Sequence, residues 1–108
     1  MVSPRTKGRL TEKRCEKKLQ ELGYITYLVP PSRPFQQVQD IFHLWDLIAM
    51  RGDEVLFVQV KTNYHSGYVK YRKFQENFPG VRCQLWNWQT HNGWIVKDFH
   101  SQVVDQRS

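Results

Sequence analysis

The sequence lacks the features that mark secreted, membrane-spanning or zinc-binding proteins. Its 108 residues include only two cysteines, Cys15 and Cys83, too few for a disulfide framework or a zinc ligand set. No apolar run approaches the roughly 18 residues that cross a membrane. The basic N-terminus is not followed by the apolar segment of a secretory signal. These absences predict one intracellular domain, residues 1–108, in the cytoplasm or nucleoid, or in a host cell if the protein is viral.

The usual local signatures of nucleotide hydrolysis and nucleophilic catalysis are also missing. The chain has no glycine-rich phosphate loop and no recognisable Ser-His-Asp or Cys-His arrangement. Its four histidines are scattered, and no two have metal-ligand spacing on one helix. Structural or surface roles are favoured for all of them, although His65 is close enough to the motif described below to touch a phosphate.

Positive charge is concentrated in two segments. Sixteen Lys and Arg against ten Asp and Glu give a net charge of +6. The segment 1–18 contains seven basic residues and two acids, and the segment 61–73 contains four basic residues and no acid. Such clusters attract a polyanion such as DNA, with binding that weakens steeply as salt rises. The alternative is a solvated surface and a loose tail, and for Arg5 and Lys7 the two interpretations weigh equally.

The hydrophobic pattern predicts a mixed α/β fold. Thr11 is a candidate cap for a helix that ends near Leu22, after a flexible basic segment 1–9. Alternation and turn residues predict three strands, a second helix and two more strands. That order indicates a mixed central sheet flanked by helices. The predicted ranges are 24–29, 44–50 and 54–61 for the first strands, 68–78 for the helix, and 81–88 and 94–99 for the last strands, with an Asn92-Gly93 turn between them.

A tight turn places an acid beside a polar triplet. Gly52 and Asp53 suit a two-residue hairpin loop. In that hairpin Asp46 lies directly opposite Gln59, with β-carbons roughly 5 Å apart, and Lys61 shares their face of the sheet. Charged groups on an otherwise apolar strand are costly unless they are paired or bind a metal. The cluster is therefore predicted to be functional.

These residues resemble the signature of the PD-(D/E)xK nuclease superfamily. Asp46 followed by Gln59-Val60-Lys61 matches the motif, with glutamine in place of the second acid. The stretch from Gly8 to Tyr24 resembles the opening of the archaeal Holliday junction resolvases. Residues 45–49 (WDLIA) match their Pro-Asp-Ile-Ile-Ala segment, with tryptophan in place of proline. The resemblance covers roughly residues 5–75 and implies a restriction-endonuclease-like αβββαβ core.

The resemblance implies a divalent-metal-dependent endodeoxyribonuclease that uses Mg²⁺ or Mn²⁺. Asp46 would be the anchoring ligand, the Val60 carbonyl a second, and Glu12 a third, directly or through water. Gln59 could offer its amide oxygen, and Lys61 would orient or help deprotonate the water. Glutamine at 59 removes one negative charge, so metal affinity should fall. Glu12 could instead be an ordinary first-turn acid stabilised by the helix dipole.

The expected partner is branched DNA, cut by a homodimer at a four-way junction. The matching resolvase loop carries a serine, for which Ser32 is the candidate, and Asp40 is a possible extra acid. Trp86 and Trp88 share one face of a strand, for which packing is favoured over base stacking. Alternatives are a repair or nicking nuclease for flaps or ends, a catalytically inactive DNA-binding module, and a small basic protein that binds RNA or ribosomes. The predicted DNA contacts are Arg5, Lys7, Arg9, Lys13, Ser32, Lys70, Arg72 and Lys73.

Overall fold

The structure, a computed structural model, describes residues 4–30, 41, 42 and 44–100, with side chains from residue 8 onward. These described residues form two helices and five strands in the predicted order. No helix in these described ranges is long and apolar enough to cross a membrane. The elements are α1 (Pro4–Glu21), β1 (Ile25–Leu28), β2 (Leu47–Arg51), β3 (Glu54–Thr62), α2 (Val69–Asn77), β4 (Arg82–Gln89) and β5 (Gly93–Asp98).

The five strands form one mixed sheet in the order β1-β2-β3-β4-β5. All neighbours are antiparallel except β3 and β4, which are parallel. Parallel neighbours need a crossover, and α2 provides it. The predicted α/β fold class, a mixed central sheet flanked by helices, is confirmed.

Each face of the sheet carries its own hydrophobic core. The alternation of β3 sends Leu56, Val58 and Val60 to the face covered by α1, where Cys15 and Leu19 pack. The opposite face packs against α2. Its buried side chains are Trp45, Tyr71, Cys83, Leu85 and Phe99. The end of β3 therefore lies between two packed layers, which hold its backbone in place.

The central hairpin has the predicted register. Arg51 pairs with Glu54 across Gly52-Asp53, and Leu47 pairs with Val58. Gly52 adopts a positive φ of 58°, which glycine tolerates without a Cβ clash. The register breaks one residue before the strand, because the Asp46 N–H donates at 2.8 Å to the carbonyl of Val58, which already pairs with Leu47, so the predicted pairing of Asp46 with Gln59 is not formed.

Two predicted element starts and the last turn differ from the structure, and every other predicted bound agrees to within one residue. The first helix begins at Pro4, not Thr11, and Thr11 is 7% exposed within it; proline is well suited to a first helical turn. The second strand begins at Leu47, because the chain before it turns through an isolated bridge between Ile41 and Trp45. The last turn is longer than an Asn-Gly pair: Gln89 pairs with Gly93 around a three-residue loop.

The Gln75 side chain connects the end of α2 to the start of β4 by hydrogen bonds. Its side chain is 2% exposed, its amide nitrogen donates to the carbonyls of Phe78 (3.2 Å) and Val81 (2.7 Å), and its oxygen accepts from the Cys83 N–H at 2.8 Å. Gln75→Leu keeps the volume and leaves those backbone groups without their partner. We expect the free energy of unfolding to fall by about 2–4 kcal/mol, measured by urea denaturation.

The exposed neighbour supplies the control for this prediction. Glu76→Leu on the same helix should change the free energy of unfolding by less than about 0.5 kcal/mol. Equal losses in the two variants would contradict a structural role for the Gln75 amide.

Candidate active site

Asp46 lies immediately before β2, where its backbone is held from both sides. Its N–H donates to Val58 of β3, and its carbonyl accepts from the Val29 N–H at 2.9 Å. Asp46 is 7% exposed. The polypeptide thus fixes a buried carboxylate at the end of the sheet where β2 and β3 stop pairing.

The Asp46 carboxylate, instead of a backbone carbonyl of β2, accepts a backbone hydrogen bond from β3. Its Oδ2 accepts the Val60 N–H at 2.9 Å. The Gln59 amide satisfies its surroundings when Nε2 donates to the same Oδ2 at 3.1 Å and to the Leu44 carbonyl at 2.7 Å. Two N–H groups therefore converge on one carboxylate oxygen, an arrangement that stabilises its charged form.

Gln59 thus lies beside Asp46, with its nitrogen facing the acid. The sequence resemblance predicts that its amide oxygen binds a metal next to Asp46. In the orientation that gives both amide atoms partners, the nitrogen donates to the carboxylate, and the oxygen ligand stays a prediction. This orientation follows from the turn before β2. The turn brings the Leu44 carbonyl against the Gln59 amide, so the amide faces two acceptors and its nitrogen can donate to both.

The backbone carbonyl of Val60 faces the same edge as Asp46. In a β-strand the N–H and C=O of one residue point to the same neighbour, and the Val60 N–H points to Asp46. A carboxylate oxygen and a carbonyl oxygen are therefore available on one edge of β3. Both are hard donors of the kind that Mg²⁺ prefers.

Glu12 reaches the same end of the sheet through Arg9. The Arg9 guanidinium pairs with the Glu12 carboxylate at 3.2 Å and donates to the Val29 carbonyl at 2.7 Å. Since the Val29 N–H donates to the Asp46 backbone carbonyl, Val29 connects the Arg9–Glu12 pair to the Asp46 backbone. Arg9, which the sequence predicted as a DNA contact, therefore has an internal role in positioning α1.

The Cys15 thiol lies close to both predicted metal-binding acids. Burial raises the pKa of Cys15 most strongly, and the carboxylates of Asp46, Glu16 and Glu12 raise it further. The thiol therefore remains protonated at neutral pH and is no nucleophile. Acids of α1 and Asp46, which precedes β2, therefore all lie within electrostatic range of this thiol.

Lys61 is held in a different contact. Its ammonium lies over the Tyr64 ring, 5.2 Å from the centroid. Asn87 fixes the Tyr64 backbone by accepting its N–H at 3.0 Å and donating to its carbonyl at 2.7 Å. Asn87 was not predicted as a site residue. The available signal was an asparagine between Trp86 and Trp88, in the buried centre of β4, and the parallel pairing of Lys61 with Asn87 explains its position.

The predicted DNA contacts are distributed over two helices. Lys13 is exposed on α1, and Lys70 and Lys73 are exposed on α2 beside Tyr64. Arg72 is half-buried, and its Nε has no hydrogen-bond partner among the described residues. Several predicted residues have no described side chain or lie outside the described residues, namely Arg5, Lys7, Ser32 and Asp40. His65 is exposed just beyond β3.

The donor set suits a hard divalent cation, with a limited number of protein charges. Among the described residues, no group of three His, Cys, Asp or Glu side chains is arranged to hold a metal. An ion here would depend on Asp46, the Val60 carbonyl and Glu12, with the remaining positions left to water or phosphate oxygens. Such a set fits Mg²⁺ or Mn²⁺ and excludes a structural zinc site.

The architecture has a known counterpart. The chain has a resolvase-like fold. It is similar to Hjc of Archaeoglobus fulgidus, a Holliday junction resolvase from an archaeal hyperthermophile, with a TM-score of 0.61 and 17% sequence identity over 86% of this chain and 73% of that one. At this identity the likeness shows the fold alone. No family model and no curated protein sequence matches the chain.

Proposed function

We propose that the protein is a divalent-metal-dependent DNA endonuclease of the PD-(D/E)xK type that acts on four-way junctions. The observation that carries the proposal is the buried Asp46 carboxylate, fixed beside the Val60 backbone in a resolvase-like fold. The net charge of +6 supports a polyanionic substrate. Cutting two strands symmetrically requires a two-fold dimer.

Each residue has a distinct role in this proposal. Asp46 and the Val60 carbonyl would hold the cation, with Glu12 completing the shell directly or through water. A bound divalent cation supplies charge stabilisation at the phosphate and lowers the pKa of a water. Lys61 would have to leave the Tyr64 ring to orient that water. The aliphatic lysine stem permits this movement, and the cation–π contact is worth only about 0.5–2 kcal/mol.

One observation favours a second function, a DNA-binding module without catalysis. In the orientation that satisfies its amide, Gln59 donates to Asp46, which stabilises this carboxylate without a metal. A module of this kind would retain the basic surface and bind DNA with strong salt dependence, but it would not cleave it.

A substrate panel tests the proposal. A labelled four-way junction, a linear duplex, a flap and a single strand are each incubated with the protein and Mg²⁺ or Mn²⁺. We expect paired, symmetric cuts in the junction at a rate at least about tenfold above the rate on linear duplex. Cuts confined to flaps or ends would replace the junction specificity with a repair or nicking activity. Salt-sensitive binding without any cut would favour the non-catalytic module.

A further inference from the structure

A guanidinium on α1 is stacked on a tryptophan of β4. The Arg14 guanidinium carbon lies 4.5 Å from the centroid of the Trp88 ring. Trp88 is itself held edge-to-face by Trp94 at 5.1 Å, and Trp94 by Trp86 at 5.4 Å. We call these three rings the tryptophan cluster. Since Trp86 is buried in the α1-side core, the cluster anchors the exposed Arg14 side chain to the fold.

Among the described residues, the stacked guanidinium has no acidic partner. Arg9, Arg51 and Arg82 each pair with a carboxylate, whereas no carboxylate pairs with Arg14 in the described part of the chain. Stacking occupies the face of the guanidinium and leaves the N–H donors around its edge. That geometry suits a bidentate oxyanion such as a phosphodiester.

The position of this group relates it to the candidate site. Trp88 pairs with Thr62 in the parallel ladder, and its carbonyl accepts the Asn63 N–H at 2.9 Å. The cluster therefore flanks the end of β3 on the side away from Asp46. The backbones of Asp46 and Trp88 are two strand spacings apart across the sheet and three residues apart along it. Their Cα atoms are therefore separated by about 14 Å. A nucleic-acid strand can span that distance with a few nucleotides.

We propose that Arg14, oriented by Trp88, binds a backbone phosphodiester of nucleic acid a few nucleotides from the Asp46 site. The inference rests on the proposed function and extends it to a contact that the basic-cluster pattern alone did not single out. Lys17 and Lys18 on the same helix are also exposed. The proposed contact involves no base edge, so it is independent of the nucleic-acid sequence.

Four variants test the contact by affinity for a labelled four-way junction, measured in EDTA so that binding is separated from cutting. Arg14→Ala should bind about tenfold more weakly, with the slope of log K against log salt reduced by about 0.9. Arg14→Lys should keep the slope, because the charge remains, and lose about threefold in affinity with the planar fork. Trp88→Leu should resemble Arg14→Lys, because the charge remains and its orientation is lost.

Lys17→Ala is the matched control, since it removes one charge from the same helix without touching the tryptophan cluster. It should leave affinity within about twofold. Equal effects of Arg14→Ala and Lys17→Ala, or wild-type affinity in Arg14→Lys, would overturn the proposal. Arg14 is exposed, so its variants should fold even if Trp88→Leu does not. A change from dimer to monomer in Arg14→Ala, seen by sedimentation, would overturn the proposal in favour of self-association.

The experiment separates this inference from the proposed function. Suppose that the wild-type protein binds the junction through Arg14 but does not cut it with Mg²⁺ or Mn²⁺. This result supports the phosphate contact and excludes the nuclease activity. If Arg14→Ala cuts at the wild-type rate, with unchanged affinity and salt slope, the phosphate contact is excluded and the nuclease activity is supported. Wild-type protein that does not bind DNA at all overturns both.

Discussion

Asp46→Asn is expected to abolish DNA cleavage while preserving the fold. Asparagine has the same shape, and its side-chain oxygen can still accept the Val60 N–H that Asp46 receives at 2.9 Å. The negative charge that would anchor a cation is lost. We expect the single-turnover cleavage rate to fall by roughly 10³-fold or more, with the melting temperature little changed and junction binding in EDTA not weakened.

Asp46→Ala provides the contrast that separates charge from structure. It removes the acceptor as well as the charge, so the buried Val60 N–H and the Gln59 amide both lose a partner. Stability should fall by about 2–4 kcal/mol. Cleavage by Asp46→Asn at the wild-type rate would exclude this carboxylate from the chemistry. Equal stability of the alanine and wild-type proteins would contradict the structural half of its role.

Gln59→Glu is expected to make the protein more dependent on metal. The substitution replaces the amide nitrogen, 3.1 Å from the Asp46 oxygen, by a second carboxylate. In EDTA the two charges repel, so the pKa of the pair rises and the folded state becomes less stable at neutral pH by about 1–3 kcal/mol. Mg²⁺ or Mn²⁺ should then raise the melting temperature of the variant more than that of the wild type.

The pH dependence of this variant follows from the sign of its pKa shift. A carboxyl whose pKa is raised on folding contributes stability below its unfolded value, near 4.3 for glutamate, and loses it as pH rises through the folded value. The variant in EDTA should therefore weaken relative to wild type as pH rises from 4 towards neutrality. Thermal denaturation across pH, with and without metal, measures the difference.

A second glutamine–aspartate contact supplies the control. Gln84 donates to Asp98 at 2.9 Å on β4 and β5, but the Arg82 guanidinium lies 3.4 Å from the same aspartate. In Gln84→Glu this arginine can offset the new charge, and both groups are partly exposed, so the stability loss should be smaller. A metal response in Gln84→Glu equal to that in Gln59→Glu would show that any added acid produces the effect. No metal response in Gln59→Glu would contradict a cation site at Asp46.

The sequence predicted the hairpin because its register is local. A two-residue Gly-Asp turn fixes the register from Arg51–Glu54 to Leu47–Val58, and this brings Asp46, the residue before the strand, beside Gln59. The early start of α1 was not predicted, because a threonine resembles a cap even where it is buried inside a longer helix. Propensity does not distinguish these two positions when tertiary packing decides.

The details of the candidate site depended on contacts that no local pattern carries. The direction of the Gln59 amide is set by the Leu44 carbonyl in an irregular turn. The Asn87 bonds to Tyr64 and the Arg14 contact with Trp88 both require the parallel pairing of β3 and β4, which α2 creates at a distance along the chain. The roles given to Ser32 and Asp40 stay predictions, because both residues lie outside the described ones.

The most direct test of the central claim is single-turnover cleavage of a labelled four-way junction by the wild-type protein. It compares Mg²⁺, EDTA, and EDTA followed by excess Mg²⁺, with Asp46→Asn purified in parallel to detect a contaminating nuclease. The account predicts cutting with Mg²⁺, none in EDTA, recovery when Mg²⁺ is restored, and none with Asp46→Asn. Cutting that persists in EDTA, or that Asp46→Asn performs equally well, would contradict a metal-dependent nuclease centred on Asp46.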